Sequence, residues 1–362
     1  MSSRILKERY EFSVIIVLLI SIIFTGINGL IAFLLLFFFS RIKAGRDPEV
    51  KHGLSSGKSR LGGIAIAISI IIGCSSHLFF LDHFRMSFLL SELDKIIIFS
   101  FLVGVIGLIE DFRQNLSSIA RLISMLSLIA ISLFFLPELI PSDLSIFKYL
   151  YLSNTNVIIY LFSIIMICGF INAGNIADGA NGLLTTIFLG YFIVAYSLDN
   201  SVFNFSVIIS LIAFIVFNVL TGRIFLGDFG AYSLSALVAF KSLEFYSDHQ
   251  ISIFFLASIL IYPCFEITRS ILLRAIKNTS LINADNNHLH NHLNHYALNF
   301  MSSTHNANSF TGISIALFST FIPISLYFFG LPIFSDLWVI VFAFQFSLLV
   351  LIYIFFKKKL SR

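Results

Sequence analysis

The chain has 362 residues, of which 58% are hydrophobic and only 12% charged, and its mean hydropathy is +0.96. A soluble domain carries roughly 25% charged residues and cannot enclose so much apolar side chain. This composition, with a net charge of +4, excludes a soluble enzyme, a disordered protein, a nucleic-acid binder and a disulfide scaffold; it leaves a polytopic membrane protein, whose helical spans each need ~20 apolar residues.

In chain order, apolar runs predict spans at 12–39, 61–81, 95–109, 120–137, 157–171, 183–198, 205–221, 232–247, 251–273, 310–329 and 337–356. The expected fold is all-α with about eleven transmembrane helices, ten being the alternative count. The three cysteines lie inside these runs and read as small hydrophobes. No internal repeat appears. Residues 1–362 read as a single transmembrane domain, with cytoplasmic loops near 40–60, 110–120, 172–182, 222–231 and 274–309. Lys and Arg set the orientation. With the N-terminus outside, 16 of the 23 fall on the inner side, led by the 40–60 cluster and Lys357, Lys358 and Lys359. The C-terminus is then cytoplasmic.

That topology collects the polar motifs at the inner ends of the spans. First, Lys51, His52 and Arg60 lie in a basic loop that ends in Gly62-Gly63. Such a loop sets topology or steers an anion. Next, Glu110-Asp111 closes the third span. Acids at a membrane edge are costly, and an adjacent pair suits a divalent cation or a cationic partner. Asn172, Asn175, Asp178 and Asn181 follow at steps of three, placing them on nearly one helix face, with Gly179 and Gly182 beside them. Such a segment can present amides, a carboxylate and bare backbone to a phosphate or ribose. Asp228 sits between Gly227 and Gly230, three residues after Phe225; a carboxylate there suits Mg²⁺, which takes one or two carboxylates plus phosphate oxygens and water. Last, His288, His290, His292 and His295 crowd one polar stretch, which reads as a phosphate clamp, a zinc site or a plain polar loop. Among the remaining acids, Glu266, after Pro263, lies deep in a span. A transporter or ion-coupled carrier is the main rival class, and it would place its acids near span centres.

The ordered set of motifs resembles the polyprenyl-phosphate N-acetylhexosamine-1-phosphate transferases, which include the phospho-N-acetylmuramoyl-pentapeptide translocase. The resemblance spans about residues 46–310. It implies transfer of an N-acetylaminosugar-1-phosphate from a UDP-sugar to undecaprenyl (polyprenyl) phosphate, as the first step of a cell-surface glycan such as O-antigen. It implies Mg²⁺ as cofactor, with Mn²⁺ as a substitute. Asp228 and Asp111 are the implied metal ligands, and Glu110, Asp111, Asp178 and Asp228 the catalytic acids. Lys51, His52, Arg60, Asn172, Asn175, Asn181, Phe225, His288 and His290 are the implied substrate contacts, with Phe225 stacking on uracil. The implied location is a bacterial inner membrane, multi-pass, with the site facing the cytoplasm; a homodimer is an open expectation. The chain departs from the family pattern at Glu110, where many members have Asp, and at Asn181, Asn286 and Asn291.

Overall fold

The computed structural model describes residues 26–42, 58–81, 91–113, 116–147, 150–153, 156–276 and 287–360. Lys51, His52 and the first part of the 12–39 span lie outside the described residues.

Thirteen helices are described: α1 (Gly26–Arg41), α2 (Gly62–Leu81), α3 (Glu92–Arg113), α4 (Ser118–Phe135), α5 (Asn156–Ala177), α6 (Leu183–Leu198), α7 (Val202–Thr221), α8 (Gly227–Ser247), α9 (Ile253–Ile259), α10 (Ile261–Ile276), α11 (Leu289–Ala297), α12 (Thr304–Phe328) and α13 (Leu337–Leu360). Over its described residues, every predicted span coincides with helix. Five helices (α4, most of α5, α7, α12 and most of α13) are long and apolar enough to cross a bilayer. Shorter apolar helices are α1, the first part of α2, and α6, while α3 and α8 carry charges at their ends.

Side chains are sorted as a bilayer requires. Phe134, Ile165, Phe321, Ile340 and Leu351 face outward, where hydrocarbon accepts them, while Ser100, Ser210, Asn218 and Ser319 are buried between helices. The buried hydroxyls mostly return to a backbone carbonyl one turn back, as Ser100 does to Ile96 and Ser319 to Ile315. α8 is buried almost all round, with α2, α3, α5 and α6 packed against it.

Two features depart from the sequence expectation. Between α4 and α5 the chain forms a short antiparallel hairpin, β1 (Asp143–Phe147) and β2 (Leu150–Ser153), the strands described in an otherwise helical chain. The predicted 251–273 span is two helices, α9 and α10, bent by 88°. Pro263 accounts for the break. It lacks the N–H that would bond the Ile259 carbonyl, and its ring would clash with that carbonyl, so α9 ends there. Ser252 caps the start of α9, its Oγ accepting from the Phe255 N–H.

Candidate functional site

The site begins with two strands of irregular backbone zipped together. Ser59 and Ile224 form a parallel bridge, the Phe225 N–H donates to the Ser59 carbonyl at 2.7 Å, and the N–H groups of Gly62 and Gly63 donate to the carbonyls of Phe225 and Leu226. The zipper seats the start of α2 against the start of α8. No side chain fits between them, since a Cβ on Gly63 would strike the backbone of Gly230. Gly227 turns the chain into α8 at φ +75°, where an added Cβ would also meet the Arg60 carbonyl. On the other side of α8, Gly107 lets α3 lie against the Asp228 backbone.

This packing delivers three motifs to one place. Asp111, fully buried at the end of α3, accepts from the N–H of Asp228 at 3.1 Å and of Phe229 at 3.0 Å. It thereby caps α8 from another helix, where a carboxylate is favoured by the unpaired N–H groups and the helix dipole. Arg60 bridges the two acids, with Nε 3.3 Å from Asp111 Oδ1 and Nη2 3.2 Å from Asp228 Oδ1. Asp178, in the turn after α5, lies within electrostatic reach of all three. Burial and the Asp228 carboxylate push it up to about 7, Arg60 opposing and Asp111 adding to the rise. When all three carboxylates are ionised, one guanidinium leaves the cluster with excess negative charge. Among the described residues no three His, Cys, Asp or Glu side chains converge to hold a metal by themselves. That donor set fits a hard cation held by one or two carboxylates and completed by phosphate oxygens and water, as Mg²⁺ prefers. Asp228 is the better placed of the two predicted ligands, since both oxygens of Asp111 already accept backbone N–H groups.

Other predicted residues are placed differently. Glu110 turns from its neighbour and accepts from the Leu116 N–H at 3.1 Å, bracing the α3–α4 turn. Asn172 donates back to the Cys168 carbonyl at 2.8 Å and touches Met125. The one-face expectation fails for it because steps of three drift about 60° each on a 3.6-residue helix, and α5 ends at Ala177 before the series is complete. Asn175 is half-buried in the last turn of α5. Asn181 is occupied by the protein: its N–H donates to Asn308 Oδ1 at 2.6 Å, its amide to Ser309 Oγ at 3.0 Å, with His305 Nδ1 3.2 Å away. It pins the 178–182 turn to α12. Phe225 is half-buried under the Lys58 ammonium, 5.5 Å from its ring centroid. Burial, then Arg223, lower the Lys58 pKa.

The histidine motif enters from the opposite side. His288 N-caps α11 and His290 lies in its first turn, the rings stacked at 5.2 Å and 12°. The His290 ring lies over Gly179, where a Cβ would collide with Nε2. Gly179 thus joins this motif to Asp178.

Sequence reasoning missed what holds these rings. Glu266 Oε2 is 2.9 Å from His288 Nδ1 and 2.7 Å from Arg269 Nη2; its Oε1 accepts from the Leu289 N–H at 2.8 Å and the Tyr262 hydroxyl at 3.2 Å. His290 Nδ1 is 3.0 Å from the same hydroxyl. The signal was present in an acid placed one turn after Pro263 in an apolar run, but only the 88° bend aims it at the histidines.

Fold and site together define a polytopic, helical membrane protein with a cluster of carboxylates where α3 ends and α8 begins. Residues 94–246, which include Asp111, Asp178 and Asp228, match the family model of Glycosyl transferase family 4. The chain is similar to the phospho-N-acetylmuramoyl-pentapeptide-transferases of Staphylococcus epidermidis (27% identical over 211 residues, 53% of this chain and 64% of that protein) and Staphylococcus carnosus (26% over 230 residues, 58% and 68%). It is also similar to that of Bacillus thuringiensis, 27% over 226 residues, 56% and 67%. The match thus spans a little under two thirds of the S. epidermidis protein. Over residues 94–246 the chain is thus similar to glycosyl transferase family 4, and the relatives named above point the same way.

Proposed function

We propose that the protein transfers an N-acetylaminosugar-1-phosphate from a UDP-sugar to polyprenyl phosphate at the cytoplasmic face of a bacterial inner membrane. The observation that carries this reading is the Arg60-bridged carboxylate cluster at one end of a lipid-facing helical bundle, within the residues that match this family's model or beside them. One substrate is a water-soluble dianion and the other an anion anchored in lipid, so only a site at the membrane boundary can reach both.

In this reading an oxygen of the acceptor phosphate attacks the sugar-bearing phosphorus of the UDP-sugar. The new oxygen–phosphorus bond forms as the diphosphate bridge breaks, giving polyprenyl-diphospho-sugar and releasing UMP. The acceptor, with a second pKa near 6, is largely dianionic at neutral pH and needs little help from a base. Mg²⁺ bound at Asp228 would offset the repulsion between the two anions and steady the leaving phosphate. Asp111 holds the Asp228 backbone in place, and Arg60 ties the two acids together. Asp178 adds negative charge that favours a bound cation. The key acids lie at helix ends, which favours this reading over an ion-coupled carrier.

The test is UMP release by the membrane-embedded protein given undecaprenyl phosphate, Mg²⁺ and a panel of UDP-sugars. The panel runs from UDP-N-acetylhexosamines and their deoxy forms, as an O-antigen role requires, to UDP-N-acetylmuramoyl-pentapeptide, the group the relatives' name suggests. Metal-dependent UMP release with one donor is expected, and it is lost in Asp228→Asn. No metal-dependent UMP from any donor would overturn the proposal.

A further inference from the structure

The bent α9–α10 segment brings a self-contained polar network against the histidine motif. Glu266 and Arg269 neutralise one another at 2.7 Å, and Arg269 also meets the Tyr353 hydroxyl. The four groups around Glu266 come from two stretches of chain, Tyr262 and Arg269 from α10 and His288 and the Leu289 N–H from the start of α11, so its carboxylate fixes where α11 starts relative to α10.

The network also decides where the His290 proton sits. The Tyr262 hydroxyl has one hydrogen, and it donates to Glu266 Oε1. Its oxygen can then only accept from His290 Nδ1, 3.0 Å away, which makes Nδ1 the protonated nitrogen. In a neutral imidazole the other nitrogen is then a bare acceptor. Among the described residues no hydrogen-bond partner meets His290 Nε2, which lies over Gly179, next to Asp178. An acceptor so placed repels phosphate oxygens and suits a hydroxyl or an amide N–H. Burial holds His290 down to about 4, in keeping with a neutral ring.

We propose that Glu266 is a positioning residue which, through Tyr262, holds the His290 proton on Nδ1 and so presents Nε2 as a hydrogen-bond acceptor for a hydroxyl or amide N–H of the sugar donor. This rests on the transferase reading and assigns His290 to recognition of the sugar nucleotide's hydroxyl and amide groups, in place of a cationic diphosphate clamp. His288 is held directly by Glu266.

Two measurements test it. The first needs no activity: ¹⁵N NMR of histidine-labelled protein in nanodiscs, with His290 assigned by its loss in His290→Gln. A protonated Nδ1 and unprotonated Nε2 are expected in wild type, with mixed tautomers in Tyr262→Phe. A protonated Nε2 in wild type overturns the proposal even if UMP release succeeds, and the NMR result stands even if UMP release fails for every donor. The second is kinetic. Tyr262→Phe should raise KM for the UDP-sugar about tenfold with kcat within about threefold of wild type. His290→Gln, which keeps an acceptor, should retain more kcat/KM than His290→Lys, which offers only donors and a charge. Better activity in the lysine variant, or wild-type constants in Tyr262→Phe, overturns it. Because Glu266→Gln leaves Arg269 buried without its carboxylate and can fail to fold, the tyrosine variant carries the test.

Discussion

The carboxylate cluster and the Glu266 network lie on either side of Gly179, and they handle buried charge in opposite ways. Around Asp228 three acids gather about one arginine, and their mutual repulsion adds to burial in raising the Asp178 pKa. Around Glu266 one acid meets one arginine and further donors, so charge and hydrogen bonds both close within the protein. A buried charge without compensation is costly. The first arrangement therefore draws in a proton or a cation, while the second closes on itself and serves as a scaffold. On the proposed reading, the difference separates the groups that act on substrate from those that aim them.

The sharpest way to test that contrast is to remove charge from the open side. Asp228→Asn should lower kcat by about 10³-fold or more, while Mg²⁺ should no longer raise the melting temperature of the purified protein. In wild type the same addition should raise it by about 2 °C; an equal rise in the variant would mean that Asp228 is not the metal's ligand. Asp111→Ala should cost about 10²-fold in kcat, because the α8 N-terminus loses its cap and Asp228 shifts. If Asp111 only binds substrate, KM rises and kcat does not fall.

A smaller loss tests the packing that joins the motifs. Gly107→Ala puts a methyl group against the Asp228 backbone and should lower activity about tenfold. Gly169→Ala is the control, since an added Cβ there meets nothing and activity should be unchanged.

The smallest effects are in pH dependence, where the two regions have opposite signs. The Asp178 pKa is raised to about 7, so the folded state holds a proton that the unfolded state loses above pH ~4. Stability from this group falls as pH rises from about 4 to 7. The His290 pKa is lowered to about 4, so the unfolded state binds the extra proton below pH ~6.5. Stability from this group falls as pH drops from about 6.5 to 4. Each slope is at most about 1.4 kcal/mol per pH unit, and they offset over their shared window. In metal-free protein, melting from pH 4 to 7 should show stability falling less with rising pH in Asp178→Asn than in wild type, and falling more in His290→Gln. Parallel slopes in the two variants would refute the assignment.

Much of the fold was readable because lipid is a demanding solvent. Each apolar run long enough to span had to become a helix, and over the described residues each predicted run did. The 251–273 run failed as one span for a local reason, the proline at 263. Within the site, Asp111, Asp178 and Asp228 were legible because acids are rare in such a chain and each ended or began a span. Asn172 and Asn181 carried the same signal, yet the structure uses Asn172 within α5 and Asn181 to fasten a turn to α12. Polarity beside a span marks a site or a strut equally well, and only the partners tell which.

The sequence alone determined that this chain is a helical membrane protein with its acids at span ends, because hydropathy and the cost of buried charge act residue by residue. Only the tertiary structure decided how those residues divide their work. The roles of Asp111 as a cap, Arg60 as a bridge and Glu266 as the anchor of two histidines depend on contacts between residues from 22 to 168 positions apart. Such contacts exist only once glycine-lined helices have closed together and a proline has bent one span toward the histidine motif.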